Sequence, residues 1–335
     1  GFVSRGLGDV YKRQPLMHEF ELINKYFSKL SKNNKGSLRL NDDVFFDKSK
    51  KLVISIDTYI QGTHFIDFKR PDLVIKKIIR SSISDLICKS VKPLYYFISG
   101  SGNKKTFSNT NLKKISKSLN QEQKKYKIFL CGGDTVLSNK LSFSITTVGF
   151  SKKIIPRNNA KLDDDIYVTG NLGDSYAGLK ILKKSININK SQKRYFINKY
   201  YLPNLHPKLI NKLVLFANTS IDISDGLITD LEKLINKQKL SYKLFFDKIP
   251  ISKNLEKLIK LKKLDKKNFF SKGDDYQILF TANSSKSRII SKFSKTLNIK
   301  ISKIGKICSI SQKSQIIDQK GKKIRLKDKG YYHQF

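Results

Sequence analysis

The chain has 335 residues, 39% of them hydrophobic, and carries 67 lysines and arginines against 27 aspartates and glutamates, for a formal net charge of +40. That length is a prior for about two domains. No uninterrupted apolar run approaches the roughly 18 residues that span a bilayer, so no membrane span is expected and a cytoplasmic protein is.

The lysines are spread over nearly every segment and accompany abundant asparagine and isoleucine. The charge therefore reads as a solvated surface, with a nucleic-acid-binding module as the rival class. Cys88, Cys131 and Cys308 match no zinc spacing and leave an odd thiol if any two pair. Buried, inert thiols in a reducing compartment are expected.

Residues 1–16 show no clear period, and Met17 is the only methionine. The natural start is expected at Met17, with residues 1–16 an extraneous or disordered extension. Phe20, Ile23, Tyr26, Phe27 and Leu30 recur at helical spacing and predict a helix over 18–30. The segment 51–57 alternates as a strand, with Leu52, Ile54 and Ile56 on one face and Val53, Ser55 and Asp57 on the other. Asp57 is expected to leave the strand on the face away from the core.

Pro71-Asp72 opens a predicted helix to about Lys89, with Asp85 near its apolar stripe. Gly100 to Thr106 lacks the spacing of a phosphate loop and reads as a flexible connection. A polar helix over about 109–124 leads to a strand over 127–130, which is expected to end in Cys131-Gly132-Gly133-Asp134. Two glycines there allow close approach of backbone to phosphate. A strand over 141–150 completes the first domain, expected at 17–151, and a second is expected over 152–335. In the second, Gly170 to Ser175 forms a glycine turn before a helix. Helices over about 192–202, 206–218, 227–239 and 285–297 alternate with strands over 219–223, 241–247, 276–281 and 299–307.

Aspartates recur at the edges of apolar segments: Asp42 and Asp43, Asp57, Asp85, Asp134, Asp222 and Asp225, and Asp274 and Asp275. Asp222 and Ser224 would share one face of a strand end, while Asp225-Gly226 also reads as a plain turn. Converging carboxylates repel unless cations neutralise them. Hard oxygen ligands of this kind suit Mg²⁺ held together with substrate phosphates.

Taken in order, these stretches resemble the thiamine-monophosphate kinase family, within the superfamily of aminoimidazole ribonucleotide synthetase and selenophosphate synthetase. The likeness runs from Met17 to the C-terminus. It implies an N-terminal α/β domain that binds ATP and Mg²⁺ and whose sheet pairs with its mate's across a homodimer. It also implies a C-terminal α+β domain and an active site between the two. The implied reaction carries the γ-phosphate of ATP to thiamine phosphate, with several Mg²⁺ ions and no covalent nucleophile or general base.

Residue by residue, Asp43, Ser55, Ile56, Asp57, Asp85, Asp134, Asp222 and Asp225 match metal positions, Ile56 through its carbonyl alone. Gly133, Asp134, Arg157 and Ser224 match nucleotide contacts, and His64 and Asp274 substrate contacts, with Asp274 in place of the family's usual glutamate. A substrate-contacting aromatic of the family aligns near Asp328. This chain has no tryptophan, and Tyr331 or Tyr332 is the candidate cover for the thiamine ring. The approach Arg39-Leu40-Asn41 and Ser90 also depart from the family's glycines. Another ATP-dependent synthetase of the superfamily, acting on a different acceptor, is the rival within the same site.

Overall fold

The structure, a computed structural model, describes residues 18–326 and 328–331. The expectations for residues 1–16, Met17 and Tyr332 lie outside the described residues. The first sheet holds β1 (Phe45–Asp47), β2 (Leu52–Ile60), β3 (Pro93–Gly102), β4 (Phe129–Leu137) and β5 (Ser142–Phe150) in the order β1-β2-β5-β3-β4. The second holds β6 (Asp165–Thr169), β7 (Thr219–Asp222), β8 (Leu240–Phe245), β9 (Ile278–Ala282), β10 (Ile301–Ser309) and β11 (Gln315–Ile317) in the order β11-β8-β10-β6-β9-β7. Both sheets are mixed, with β3–β4 and β8–β11 parallel and the other pairs antiparallel.

The helices are α1 (Glu19–Leu22), α2 (Pro71–Cys88), α3 (Asn109–Tyr126), α4 (Asp174–Leu182), α5 (Lys190–Tyr201), α6 (Leu227–Leu234), α7 (Lys253–Lys262), α8 (Lys267–Phe270) and α9 (Ser287–Leu297). The helix expected over 18–30 is shorter: α1 passes into a π-turn at Ile23–Phe27, and none of its residues is buried. Without an apolar face against a neighbour, propensity alone does not hold a longer helix. The helix expected over 206–218 is two separate 3-10 turns, Pro207–Leu209 and Leu213–Leu215.

The organising helix is α2. Proline at its first position is preset for a helix start, and Val74, Ile75, Ile78, Ile79, Ile83, Leu86 and Ile87 bury its stripe against the first sheet and β7. Each such side chain contributes about 1.5–3 kcal/mol. One apolar cluster runs from Tyr59, Ile78 and Ile145 to Tyr200, Ile278 and Phe280, so the halves that carry the two sheets share a core. No helix among the described residues is long and apolar enough to cross a membrane.

Three expectations about the first sheet change. The core face of β2 is Val53, Ser55, Asp57 and Tyr59, while Ile56 is 69% exposed. Asp57 thus points toward α2, the reverse of what alternation of apolar residues suggested. The outer face carries Ile56, Tyr95, Phe97 and Phe150, all exposed, and so mimics a core face in the sequence. Gly100-Ser101-Gly102 belongs to β3, and Gly132-Gly133-Asp134 lies inside β4. A Cβ on Gly133 would fall 1.8 Å from the Ile98 carbonyl oxygen, so glycine there serves the close pairing of β4 with β3.

Two expectations drawn from composition also change. Of the cysteines, Cys88 is buried, but Cys131 is exposed and Cys308 intermediate. Lys77 and Lys89 are fully buried, two exceptions to the solvated lysine surface that the composition suggests.

Candidate active site

The site forms where the loop before β1, the core face of β2, the C-terminal half of α2 and the end of β7 converge. Asp43, Asp85 and Asp222 come from three of these elements and offer carboxylate oxygens that all lie within 4.8 Å of one another. Asp222 Oδ2 is buried and has no hydrogen-bond partner. An orphaned anionic oxygen in such a place is costly, and a cation is the group that fits it.

The electrostatics agree. Burial pushes Asp222 up to about 6, with repulsion from Asp230 and Asp57 adding and the Ser84 hydroxyl opposing. Burial also raises Asp57 to about 6, against hydrogen bonds from Tyr59 and Ser82. Asp85 is pushed well above the usual carboxylate range by burial, then by Asp57 and Asp222. Its Oδ2 accepts from the Ser55 hydroxyl.

Cations already stand at one edge of the cluster. Arg157 donates to both oxygens of Asp43, and its backbone N–H donates to Asp42 Oδ2 at 2.8 Å. Lys89 Nζ lies 2.8 Å from Asp42 Oδ1 and 2.8 Å from Asp43 Oδ2. The family resemblance assigns no role to Lys89 or to Asp42, which the sequence marks only as one of the recurring aspartates. The signal for Lys89 was its place at the end of the apolar stripe of α2.

Asp225 stands apart from the three. It pairs with Lys233, which also bonds Asp230 at 3.1 Å, and Asp230 accepts from the Asp225 and Gly226 N–H groups. Asp134 is not brought to the cluster either. Its register neighbours Ser99, Ser144 and Thr58 lie on the outer face of the sheet, opposite Asp57. Gly133 is on β4 beside it, and Ile56 directs its side chain outward.

His64 and Asp274, the expected substrate contacts, stand on segments other than those that carry the three aspartates. A Cβ on Gly273 would lie 1.7 Å from the Ser224 carbonyl oxygen. That close approach lets the Asp274 N–H donate to Ser224 O at 2.8 Å, and Asp274 adopts φ +68°. Asp274 Oδ1 bonds Lys77 Nζ at 2.7 Å and accepts from the Tyr276 hydroxyl at 3.2 Å. His64, in the turn after β2, accepts the Ile60 N–H on Nδ1 at 2.9 Å and meets the Tyr59 ring edge-on. The C-terminal segment crosses this region, with the Tyr331 N–H on the Asp225 carbonyl at 3.0 Å. Asp328 pairs with Lys272, so its carboxylate is committed to a neighbouring cation.

Residues 38–151 match the family model described as AIR synthase related protein, N-terminal domain. The thiamine-monophosphate kinase of Buchnera aphidicola subsp. Acyrthosiphon pisum (strain APS) is 34% identical over 324 residues, covering 94% of this chain and 98% of that protein. The thiamine-monophosphate kinase of Haemophilus influenzae is 30% identical, covering 87% and 89%. The crystal structure of thiamine monophosphate kinase from Aquifex aeolicus superposes with a TM-score of 0.76 at 25% identity, over 92% of this chain and 99% of that one. A structure of AaThiL complexed with AMPPCP and TMP superposes with a TM-score of 0.80 at 24% identity, over 94% and 97%. An end-to-end match at that identity, on the same two-sheet fold, places this chain in the thiamine-monophosphate kinase family.

Proposed function

We propose that this chain transfers the γ-phosphate of ATP to thiamine monophosphate by direct in-line displacement, giving thiamine diphosphate and ADP. The observation that carries the reading is the convergence of Asp43, Asp85 and Asp222 from separate elements, with Asp222 Oδ2 unpartnered. Family membership supports it, as does the presence of AMPPCP and TMP together in the AaThiL complex.

Phosphoryl transfer asks for positioning and charge neutralisation more than for covalent chemistry. Magnesium, when bound, supplies positive charge against the phosphate oxygens, and Asp43, Asp85 and Asp222 are the residues that would hold it. Asp57 adds charge behind them. Arg157 is placed to exchange Asp43 for nucleotide phosphate, its planar fork suiting either partner. Ser224, two residues after Asp222, holds the Asp274 N–H on its carbonyl at 2.8 Å, and its side chain would contact the nucleotide. His64 and Asp274 orient the acceptor, and Tyr331 is the aromatic surface offered to its ring. The acceptor phosphate is already an anionic nucleophile, so no side chain is asked to remove a proton.

Asp134 has no part in this single-subunit metal set, and Asp225 acts through Lys233. The exposed apolar residues Ile56, Tyr95, Phe97 and Phe150 on the outer face of the first sheet support a homodimer formed there. The division into domains at 151/152 follows the two sheets, although the core runs between them. A cytoplasmic location accords with the family's phosphorylated substrates.

The test is ADP release with ATP and Mg²⁺, with and without thiamine phosphate, followed by stereochemical analysis with chiral γ-phosphate. Acceptor-dependent release and inverted configuration are expected. Retention, or a phosphorylated protein isolated after incubation with ATP alone, would refute the direct path.

A further inference from the structure

Lys89 differs from the surface lysines of this chain in every respect that matters to its charge. It follows α2 directly, its side chain is 0% exposed, and its ammonium is held by three oxygens. These are Asp42 Oδ1 at 2.8 Å, Asp43 Oδ2 at 2.8 Å and the Ser220 carbonyl at 2.7 Å. An ammonium has three donors and no acceptor, so this tripod uses all of them. The three oxygens come from the loop before β1 and from β7, far apart in the chain. Two carboxylates and a carbonyl are also the donor set of a hard divalent cation.

The tripod adjoins the metal cluster. Asp43 belongs to both, with one carboxylate serving Lys89 and Arg157 as well as the group formed with Asp85 and Asp222. Among the described residues, the side-chain cations paired with Asp42, Asp43, Asp57, Asp85 and Asp222 are Lys89 and Arg157, both on the Asp42–Asp43 edge. Arg157 is still 8% exposed at its side chain and can turn to a ligand, whereas Lys89 is sealed. A buried charge with no route to solvent stays where its partners hold it.

We infer that the Lys89 ammonium is a resident cation of the acidic site, standing where a divalent ion binds once the side chain is uncharged. The chain accordingly takes one divalent ion fewer than its carboxylates could hold. This rests on the reading of Asp43, Asp85 and Asp222 as metal ligands.

The test counts Mn²⁺ bound per chain, by electron paramagnetic resonance of the free ion, in the native protein, Lys89→Met and Lys89→Arg. Thermal unfolding of each is followed across a Mg²⁺ titration. Lys89→Met keeps the length of the side chain and removes the charge. It is expected to bind one Mn²⁺ more than the native chain and to gain several degrees more in Tm as Mg²⁺ rises, because an ion that binds only the folded state stabilises it. Lys89→Arg is expected to keep the native count. Equal counts in the native chain and Lys89→Met overturn the inference, as does a Lys89→Met chain that stays unfolded at every Mg²⁺ concentration. A native chain that binds no Mn²⁺ removes the metal reading itself, and the inference with it.

Discussion

Lys77 Nζ, on a side chain 1% exposed, lies 2.7 Å from Asp274 Oδ1, and it also sits 4.1 Å from the centroid of the Tyr200 ring. The pair joins the middle of α2 to the segment before β9 and fixes one oxygen of the carboxylate that the proposed function assigns to the acceptor. Lys77→Met should destabilise the fold by about 1.5–2 kcal/mol, the worth of a charge-assisted hydrogen bond, because Asp274 is 29% exposed and water can reach the carboxylate left behind. Lys77→Met with Asp274→Asn should lose less than the two single losses combined, as measured by urea unfolding in a double-mutant cycle. Strict additivity would show that the two residues do not depend on each other.

Arg157 divides its fork between Asp43 and, in the proposed mechanism, nucleotide phosphate. Arg157→Lys keeps the charge and loses the planar two-point contact. The KM for ATP should rise about tenfold, the worth of roughly 1.4 kcal/mol, with the KM for thiamine phosphate nearly unchanged. Initial-rate kinetics in both substrates decide this, and equal rises in the two constants would count against a nucleotide role.

Tyr331 is 47% exposed, and its backbone N–H donates to the Asp225 carbonyl at 3.0 Å. Tyr331→Ala should leave Tm within about 1 °C, as exposed substitutions do, yet raise the KM for thiamine phosphate several-fold. An unchanged constant would mean that the thiamine ring is held elsewhere.

The outer face of the first sheet provides a test of assembly. Phe97→Glu places a charge among exposed apolar side chains and should convert a dimer to monomers in sedimentation velocity, with little effect on monomer stability because Phe97 is 41% exposed. A native chain that already sediments as a monomer would dispose of the proposed interface.

His206 is buried, with Nε2 2.7 Å from Gln277 Oε1, and burial holds its pKa below the usual 6.5, against the raising effect of that hydrogen bond. The unfolded chain therefore binds the proton more readily. Its stabilising neutral form is complete above the unfolded pKa and is lost as pH falls from about 6.5 through the lower folded value. Between about pH 7.5 and 5.5, the native protein should lose more unfolding free energy than His206→Gln. Parallel losses would assign the acid sensitivity to other groups.

The sequence by itself determined the carboxylates and most of the elements that carry them. The stripe of α2, the glycine turn at 170–173 and the strand that ends at Asp222 follow from local spacing, and local spacing is sufficient because each depends on neighbours within a few residues. Alternation in β2 was legible, but not which face is the core. That choice depends on what packs against each side, and both sides of this strand carry apolar residues, one turned toward α2 and one left exposed.

Only the tertiary structure decided which aspartates meet. Asp43, Asp85 and Asp222 converge because the loop before β1, α2 and β7 pack together, whereas the parallel pairing of β4 leaves Asp134 on the far side of the sheet. It also decided which lysines are buried. Lys77 and Lys89 are two among many in the chain, and their charges are tolerated inside because Asp274 and the pair Asp42 and Asp43 are brought to them from distant segments. A buried ammonium is stable only with its partners in place, and no local pattern in a sequence so rich in lysine records where those partners will stand.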